Sequence, residues 1–181
     1  LFRSENSALY KFVPDITFLF LDNRSILESF FYLPYSVPES SRQQFIKNRI
    51  SQIENLVELF TGKTKSKLVI TNLAIPTYSP HGLYETKTNY SLQEMVRDYN
   101  SRLEGMANKN DSVYVYDFNG FVTKFGEYNV FDYRQFFFGD IRIAFDYIPY
   151  LVHDMLGYVK AILGLNKKCI VLDLEIGRAH V

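Results

Sequence analysis

Five polar residues lie where a parallel sheet would bring them to one edge, and they could bind an anion or an acyl group there. Asn23 and Arg24 follow a first apolar run, Asn72 closes a second, and Asp132 and Arg134 precede the last helical pattern. Ligands of open α/β sheets collect at the carboxyl ends of the strands. The two arginines offer planar, bidentate donors for a carboxylate or phosphate. The pattern predicts a substrate-binding cluster of these five residues.

The same residue types also have structural uses, and the sequence leaves this alternative open. Asn23 and Asn72 are typical turn formers. Asp132 and Arg134, two positions apart, could form an ion pair that only fixes their loop.

The elements that would position these residues follow from hydrophobic patterning. Residues 16–21, 68–71 and 113–116 are short apolar runs, typical of strands buried on both faces of a parallel sheet, and residues 169–174 form a fourth. Between the runs, apolar residues recur every three or four positions, which predicts helices over residues 46–60, 92–106 and 148–162. Alternating strands and helices favour a three-layer α/β/α sandwich with a parallel, flavodoxin-like sheet.

Composition excludes several partner classes. Lys plus Arg and Asp plus Glu balance at 20 each, so the chain has no basic excess for nucleic acid. No apolar run approaches the ~18 residues that a membrane span requires. One cysteine, Cys169, precludes an internal disulfide and fits a reducing compartment. We therefore expect a cytoplasmic protein with no nucleic-acid or membrane partner.

The carboxyl-terminal residues 175–181 correspond, in one reading frame, to a translated sequencing adapter, and we expect them to be an artefact outside the fold. Residues 1–166 are expected to form one domain that lacks its amino end. Residues 167–174 are expected to be the first strand of a second, truncated domain.

A first resemblance concerns the first predicted strand. Residues 14–23 resemble the third strand and following turn of SGNH hydrolases, where a Gly-x-Asn-Asp block follows a Pro-Asp strand. Asn23 falls on the oxyanion-hole asparagine of that family. The chain departs from the pattern, because Leu21 replaces the glycine and Arg24 replaces the aspartate. Residues 132–135 stand where the family has Asp-x-x-His, and they contain no histidine.

The order of features over residues 9–174 resembles the amino-terminal, SGNH-like domain of the FkbH-like family. The shared features are the Phe-x-Pro-Asp-x-x-Phe-Leu-x-Leu-Asp strand at 12–22, Thr71-Asn72, Pro76, Gly82, Asn89 and the aromatic-Asp-x-Arg segment at 131–134. In that family a haloacid-dehalogenase-type domain follows. Residues 168–174 match the start of such a domain.

This resemblance implies specific chemistry for the intact parent protein. Asp173 matches the nucleophilic aspartate that takes up phosphate and helps to bind Mg²⁺. The fragment itself is expected to carry no cofactor and to be inactive. The implied partners are an acyl carrier protein, a phosphorylated three-carbon acyl donor and the chain's own downstream domain.

Three functions are compatible with the sequence. The first is a non-catalytic domain that positions substrate or carrier for glyceryl transfer and phosphate removal, in polyketide or surface-glycan biosynthesis. The second is a genuine SGNH esterase, whose nucleophile block would lie upstream of residue 1. The third is an α/β domain used only for assembly. A Gly-Asp-Ser block in the upstream gene sequence would favour the esterase.

Overall fold

The computed structural model describes residues 7–166, in which three parallel strands form one sheet in the order β1-β2-β3. The strands are β1 (Ile16–Leu19), β2 (Lys67–Thr71) and β3 (Val113–Tyr116). Phe18 pairs with Val69 across the first ladder, and Ile70 pairs with Val115 across the second. The predicted parallel sheet is confirmed.

Helices surround this sheet. Over the described residues they are α1 (Ala8–Phe12), α2 (Asn23–Leu27), α3 (Ser29–Tyr32), α4 (Glu39–Thr61), α5 (Leu92–Ala107), α6 (Phe118–Phe125), α7 (Glu127–Val130), α8 (Tyr133–Gly139) and α9 (Ile148–Ile162), with 3-10 turns at Gly82–Lys87 and Phe145–Tyr147. Within this part of the chain, no helix is both long and apolar enough to cross a membrane.

One face of the sheet is covered by the two crossover helices, α4 and α5. The predicted apolar stripe of α4 is buried from Ile46 to Phe60 and shares one core with α5 and the strands. Helix α5 begins with the predicted capping box, in which Ser91 and Glu94 satisfy each other's backbone N–H groups. Helix α4 connects β1 to β2 and α5 connects β2 to β3, and together the two helices form the first outer layer.

The other face is covered by α6 and α9, which produces the second outer layer. Val69, Tyr116, Phe118 and Leu151 are buried together there. The Tyr116 hydroxyl donates to the Asp154 carboxylate at 2.8 Å and so fixes α9 to the strand end. The three-layer α/β/α prediction is therefore confirmed.

Strand β1 differs from its prediction in length and in burial. Its four residues are only half-buried, because β1 is an edge strand within the described part of the chain. The backbone ladder between β1 and β2 ends at Leu19, and beyond it the Thr71 side chain bonds the backbone of Leu21 instead. The Leu21 N–H donates to Thr71 Oγ1 at 2.7 Å, and that hydroxyl donates to the Leu21 carbonyl at 2.9 Å.

Candidate functional site

The first wall of the candidate site is the turn that follows β1. Asp22 caps α2: its carboxylate accepts from the Ser25 backbone N–H at 3.1 Å and from the Ser25 hydroxyl at 2.7 Å. This cap places Asn23 and Arg24 in the first turn of α2, at the carboxyl end of the strand.

The second wall is the loop after β2. The Asn23 side-chain amide donates to the Ala74 carbonyl at 2.7 Å and joins this loop to the first wall. Behind it, Asn100 bonds both backbone groups of Leu73 at 2.8 Å. The Ile75 N–H donates to Asn119 Oδ1, also at 2.8 Å. The loop is therefore held by side-chain bonds on both sides.

The third wall comes from α7 and α8. The carboxylate of Glu127, which is buried, accepts the Thr77 backbone N–H at 2.8 Å on one oxygen and the Tyr133 hydroxyl on the other. Burial, together with this bond to a carboxylate, raises the pKa of Tyr133 well above its ordinary value. Tyr133 therefore stays a neutral hydrogen-bond donor at physiological pH.

A charged network lies at the edge of the site. Arg24 Nη1 lies 2.5 Å from Asp140 Oδ1, and Arg142 Nη2 lies 3.0 Å from the same oxygen. Arg142 Nη1 also contacts Asp22 at 2.6 Å. Both guanidinium groups lie over the Phe136 ring, 5.5 Å and 5.2 Å from its centroid. Such cation–π contacts hold the two cations without neutralising them.

These walls line what we call the strand-end cleft, a cavity of about 40 Å³ at the carboxyl edge of β1 and β2. Its polar lining groups include Asn23, Arg24, Glu127 and Arg142. The apolar lining is largely aromatic and includes Phe31, Pro76, Tyr78, Phe118, Phe131 and Phe136. An apolar pocket with a few convergent polar groups is the usual form of a small-molecule site.

The structure brings two of the five predicted binding residues, Asn23 and Arg24, into the cleft. Asn72 is only 5% exposed and braces the strand ends instead: its amide donates to Asp117 at 2.8 Å and its oxygen accepts the Asn119 N–H at 2.8 Å. It borders a separate depression between α5 and β3. Substrate binding by Asn72 stays a prediction.

Asp132 and Arg134 are likewise not among the residues that line the cleft, although Phe131 and Tyr133 are. The Asp132 carboxylate caps α8 by accepting the backbone N–H groups of Arg134 and Gln135, and the Arg134 side chain is exposed. Their ligand role likewise stays a prediction.

Sequence reasoning missed Arg142, Asp140 and Glu127. A signal for Arg142 was present, because Asp140-Ile141-Arg142 repeats the Asp-x-Arg spacing of residues 132–134 eight positions later. Glu127 carried no signal, since a single acidic residue beside a glycine is ordinary.

The cleft lining over the described residues contains no serine, cysteine or histidine. His81 instead lies against the Tyr35 ring and 3.0 Å from the Thr88 hydroxyl, and His153 lies exposed on α9. A nucleophile and a base within reach of each other are the minimum for ester hydrolysis.

No group of acidic, histidine or cysteine residues within 7–166 is arranged to hold a metal ion. The predicted Mg²⁺ ligand and nucleophile, Asp173, lies outside the described residues, as do Cys169 and the adapter-like residues 175–181.

Comparison with known proteins agrees with this architecture. The family model described as "FkbH, N-terminal domain" matches residues 1–160. The crystal structure of the N-terminal part of a Bacteroides fragilis protein, which contains a phosphatase domain and is complexed with Mg, superposes with a TM-score of 0.76 at 22% identity. The match covers 97% of this chain and 44% of that one, so the likeness establishes the shared fold. No curated protein matches the chain.

Proposed function

Because the chain belongs to the FkbH N-terminal domain family, we propose that it is a non-catalytic domain that positions substrate for an adjoining haloacid-dehalogenase-type domain. The strand-end cleft would hold the phosphorylated three-carbon acyl group, or the phosphopantetheine arm of an acyl carrier protein. The family resemblance suggests glyceryl transfer and phosphate removal, within polyketide or surface-glycan biosynthesis.

The lining of the cleft is the observation that carries this proposal. It combines two guanidinium groups, an asparagine amide and an aromatic floor, while Ser, Cys and His are absent from the lining over the described residues. Guanidinium groups recognise phosphate and carboxylate through paired N–H donors. Such a cleft binds an anion at its edge and an uncharged chain along its floor, but it supplies no nucleophile.

Bond-making and bond-breaking steps belong, in this proposal, to the adjoining domain, which would begin at residues 167–174. Asp173 would take up phosphate there, and Mg²⁺ would neutralise the phosphoryl oxygens when bound. The residues of the described domain would orient the donor or the carrier arm and limit its motion, which converts a bimolecular encounter into an intramolecular one.

The test uses the full-length parent protein and compares two charge reversals. Arg24→Glu changes a residue of the cleft, whereas Arg134→Glu makes the same change on α8 outside it. Mass spectrometry of the carrier protein measures glyceryl loading, and hydrolysis of p-nitrophenyl phosphate reports the integrity of the downstream domain. We expect Arg24→Glu to lower loading about tenfold or more, since a charged hydrogen bond to ligand is worth ~1.5–3 kcal/mol. Phosphate hydrolysis should be unchanged.

Arg134→Glu should leave both activities near the parent level. Equal loading by the Arg24→Glu variant and the parent would refute the positioning role of the cleft. A larger loss in Arg134→Glu than in Arg24→Glu would instead favour Arg134 as the arginine that binds the ligand.

A further inference from the structure

The two cleft arginines share one carboxylate. Asp140 Oδ1 contacts Arg24 Nη1 at 2.5 Å, and both Asp140 oxygens lie within 3.1 Å of Arg142 Nη2. A carboxylate that bridges two guanidinium groups occupies the position and has the charge that an anionic ligand would have.

The two acidic residues of this network differ in how firmly they are held. Asp22 caps α2 through two bonds to Ser25 in addition to its contact with Arg142. The Asp140 side chain is 59% exposed, and over the described residues its carboxylate bonds only the two arginines. An exposed ion pair contributes little to stability. A ligand anion would therefore displace Asp140 at a smaller cost than Asp22, which would also have to give up its cap of α2.

The arginines would keep their positions after Asp140 departs. Phe136 is 7% exposed and packs under both guanidinium groups, and Asp22 still holds Arg142. Arg24 is also 5.9 Å from the Tyr32 ring centroid. The freed N–H donors would then be preorganised at the mouth of the strand-end cleft. Preorganisation of the donors lowers the entropic cost of binding.

We propose that Arg24 and Arg142 form a subsite for a phosphate or carboxylate group, and that Asp140 is its built-in competitor. This subsite would be part of the cleft in the proposed function. Only the identity of its natural ligand rests on that proposed function. With Asp140 in place, the empty subsite would carry no net charge, because Asp140 and Asp22 balance the two arginines. Competition by Asp140 would therefore favour dianionic phosphate over singly charged anions.

The test is calorimetric titration of the full chain with inorganic phosphate. Asp140→Asn removes the competing charge, and asparagine tolerates the left-handed backbone of Asp140 (φ 54°). We expect phosphate to bind about three- to tenfold more tightly than to the parent, which corresponds to removing one or two exposed ion pairs. Asp140→Gly, which suits the same backbone, should give the same gain.

Asp146→Asn is the matched control, since it removes one exposed acidic charge from the neighbouring 3-10 turn. Its phosphate affinity should stay within about 1.5-fold of the parent value if only the general charge changes. Arg142→Gln should abolish the gain when combined with Asp140→Asn. The proposal is overturned if neither Asp140 variant binds phosphate more tightly than Asp146→Asn, or if no variant binds it at all.

Two further titrations of Asp140→Asn separate the possible sources of the anion. A gain with 3-phosphoglycerate alone would assign the subsite to the donor, and a gain with phosphopantetheine alone would assign it to the carrier arm. The outcome is independent of the loading assay on the full-length parent protein. If the subsite binds phosphate but the Arg24→Glu variant loads the carrier protein as the parent does, the positioning role is refuted and the anion site is retained.

Discussion

Replacing Asn100 with alanine should destabilise the protein strongly, because this side chain supports the loop that forms the second wall of the cleft. Asn100 bonds both the N–H and the carbonyl of Leu73 at 2.8 Å, and both residues are buried. Alanine leaves two buried backbone groups without partners, each costing ~1–3 kcal/mol. The higher helix propensity of alanine returns at most ~0.7 kcal/mol. The expected loss is about 2–5 kcal/mol.

Urea unfolding followed by circular dichroism measures this loss, and tyrosine fluorescence provides a second probe because the chain has no tryptophan. A loss of this size should lower the melting temperature by roughly 4–20 °C, at ~2–4 °C per kcal/mol for a protein of this length. The matched control is Asn48→Ala on α4, where the exposed amide, within residues 7–166, hydrogen-bonds only Gln44. That change should stay within about 0.5 kcal/mol. A loss below about 1 kcal/mol for Asn100→Ala would show that water or a local shift satisfies Leu73, and the reasoning would be wrong.

Two further predictions concern pH and catalysis. Burial, and then its hydrogen bond to Glu85, raise the pKa of Tyr35 from 10.0 to about 12. Its contribution to stability is therefore complete below pH 10 and is lost as pH rises through about 12. Tyr35→Phe should show a shallower fall in unfolding free energy between these values; an unchanged slope would argue against the shift. Over the described residues the cleft lining contains no Ser, Cys or His, so p-nitrophenyl acetate should be hydrolysed no faster than in buffer. Turnover that a single Ser→Ala change abolishes would instead support the SGNH esterase.

The fold was largely predictable because its signals are local. Buried apolar runs and one-sided helical stripes correspond to β1–β3 and to α4, α5 and α9, and the capping box marks the true start of α5. The differences concern β1 and β3, whose apolar runs predict burial on both faces but which are partly exposed, at Tyr114 most of all in β3. Burial of a strand depends on which strands flank it, and that is a property of the sheet order rather than of the run itself.

Two of the residues that line the cleft could be predicted from the sequence because they lie near a strand end. Asn23 and Arg24 begin α2 shortly after β1, so the position of the strand end determines theirs. The choice between Arg134 and Arg142 depends on longer-range geometry. Capping of α8 by Asp132 places Arg134 on an exposed first turn. At the other end, the left-handed backbone of Asp140 ends α8, and Arg142 lies in the segment that returns to the cleft.

Asn72 and Asn23 are strand-end asparagines that the fold places in different surroundings. Asn72 is only 5% exposed, donates to Asp117 and accepts from Asn119, so the side chain braces β2 against the start of α6. Asn23 uses one donor on Ala74 and keeps its second N–H and its oxygen for the cleft. Both residues satisfy the same sequence rule, but only the partners that the fold supplies distinguish a bracing amide from one that can bind. A strand-end asparagine should therefore be judged by its exposure together with its remaining hydrogen-bonding capacity. By these measures Asn23 lines the strand-end cleft, whereas ligand binding by the buried Asn72 stays a prediction.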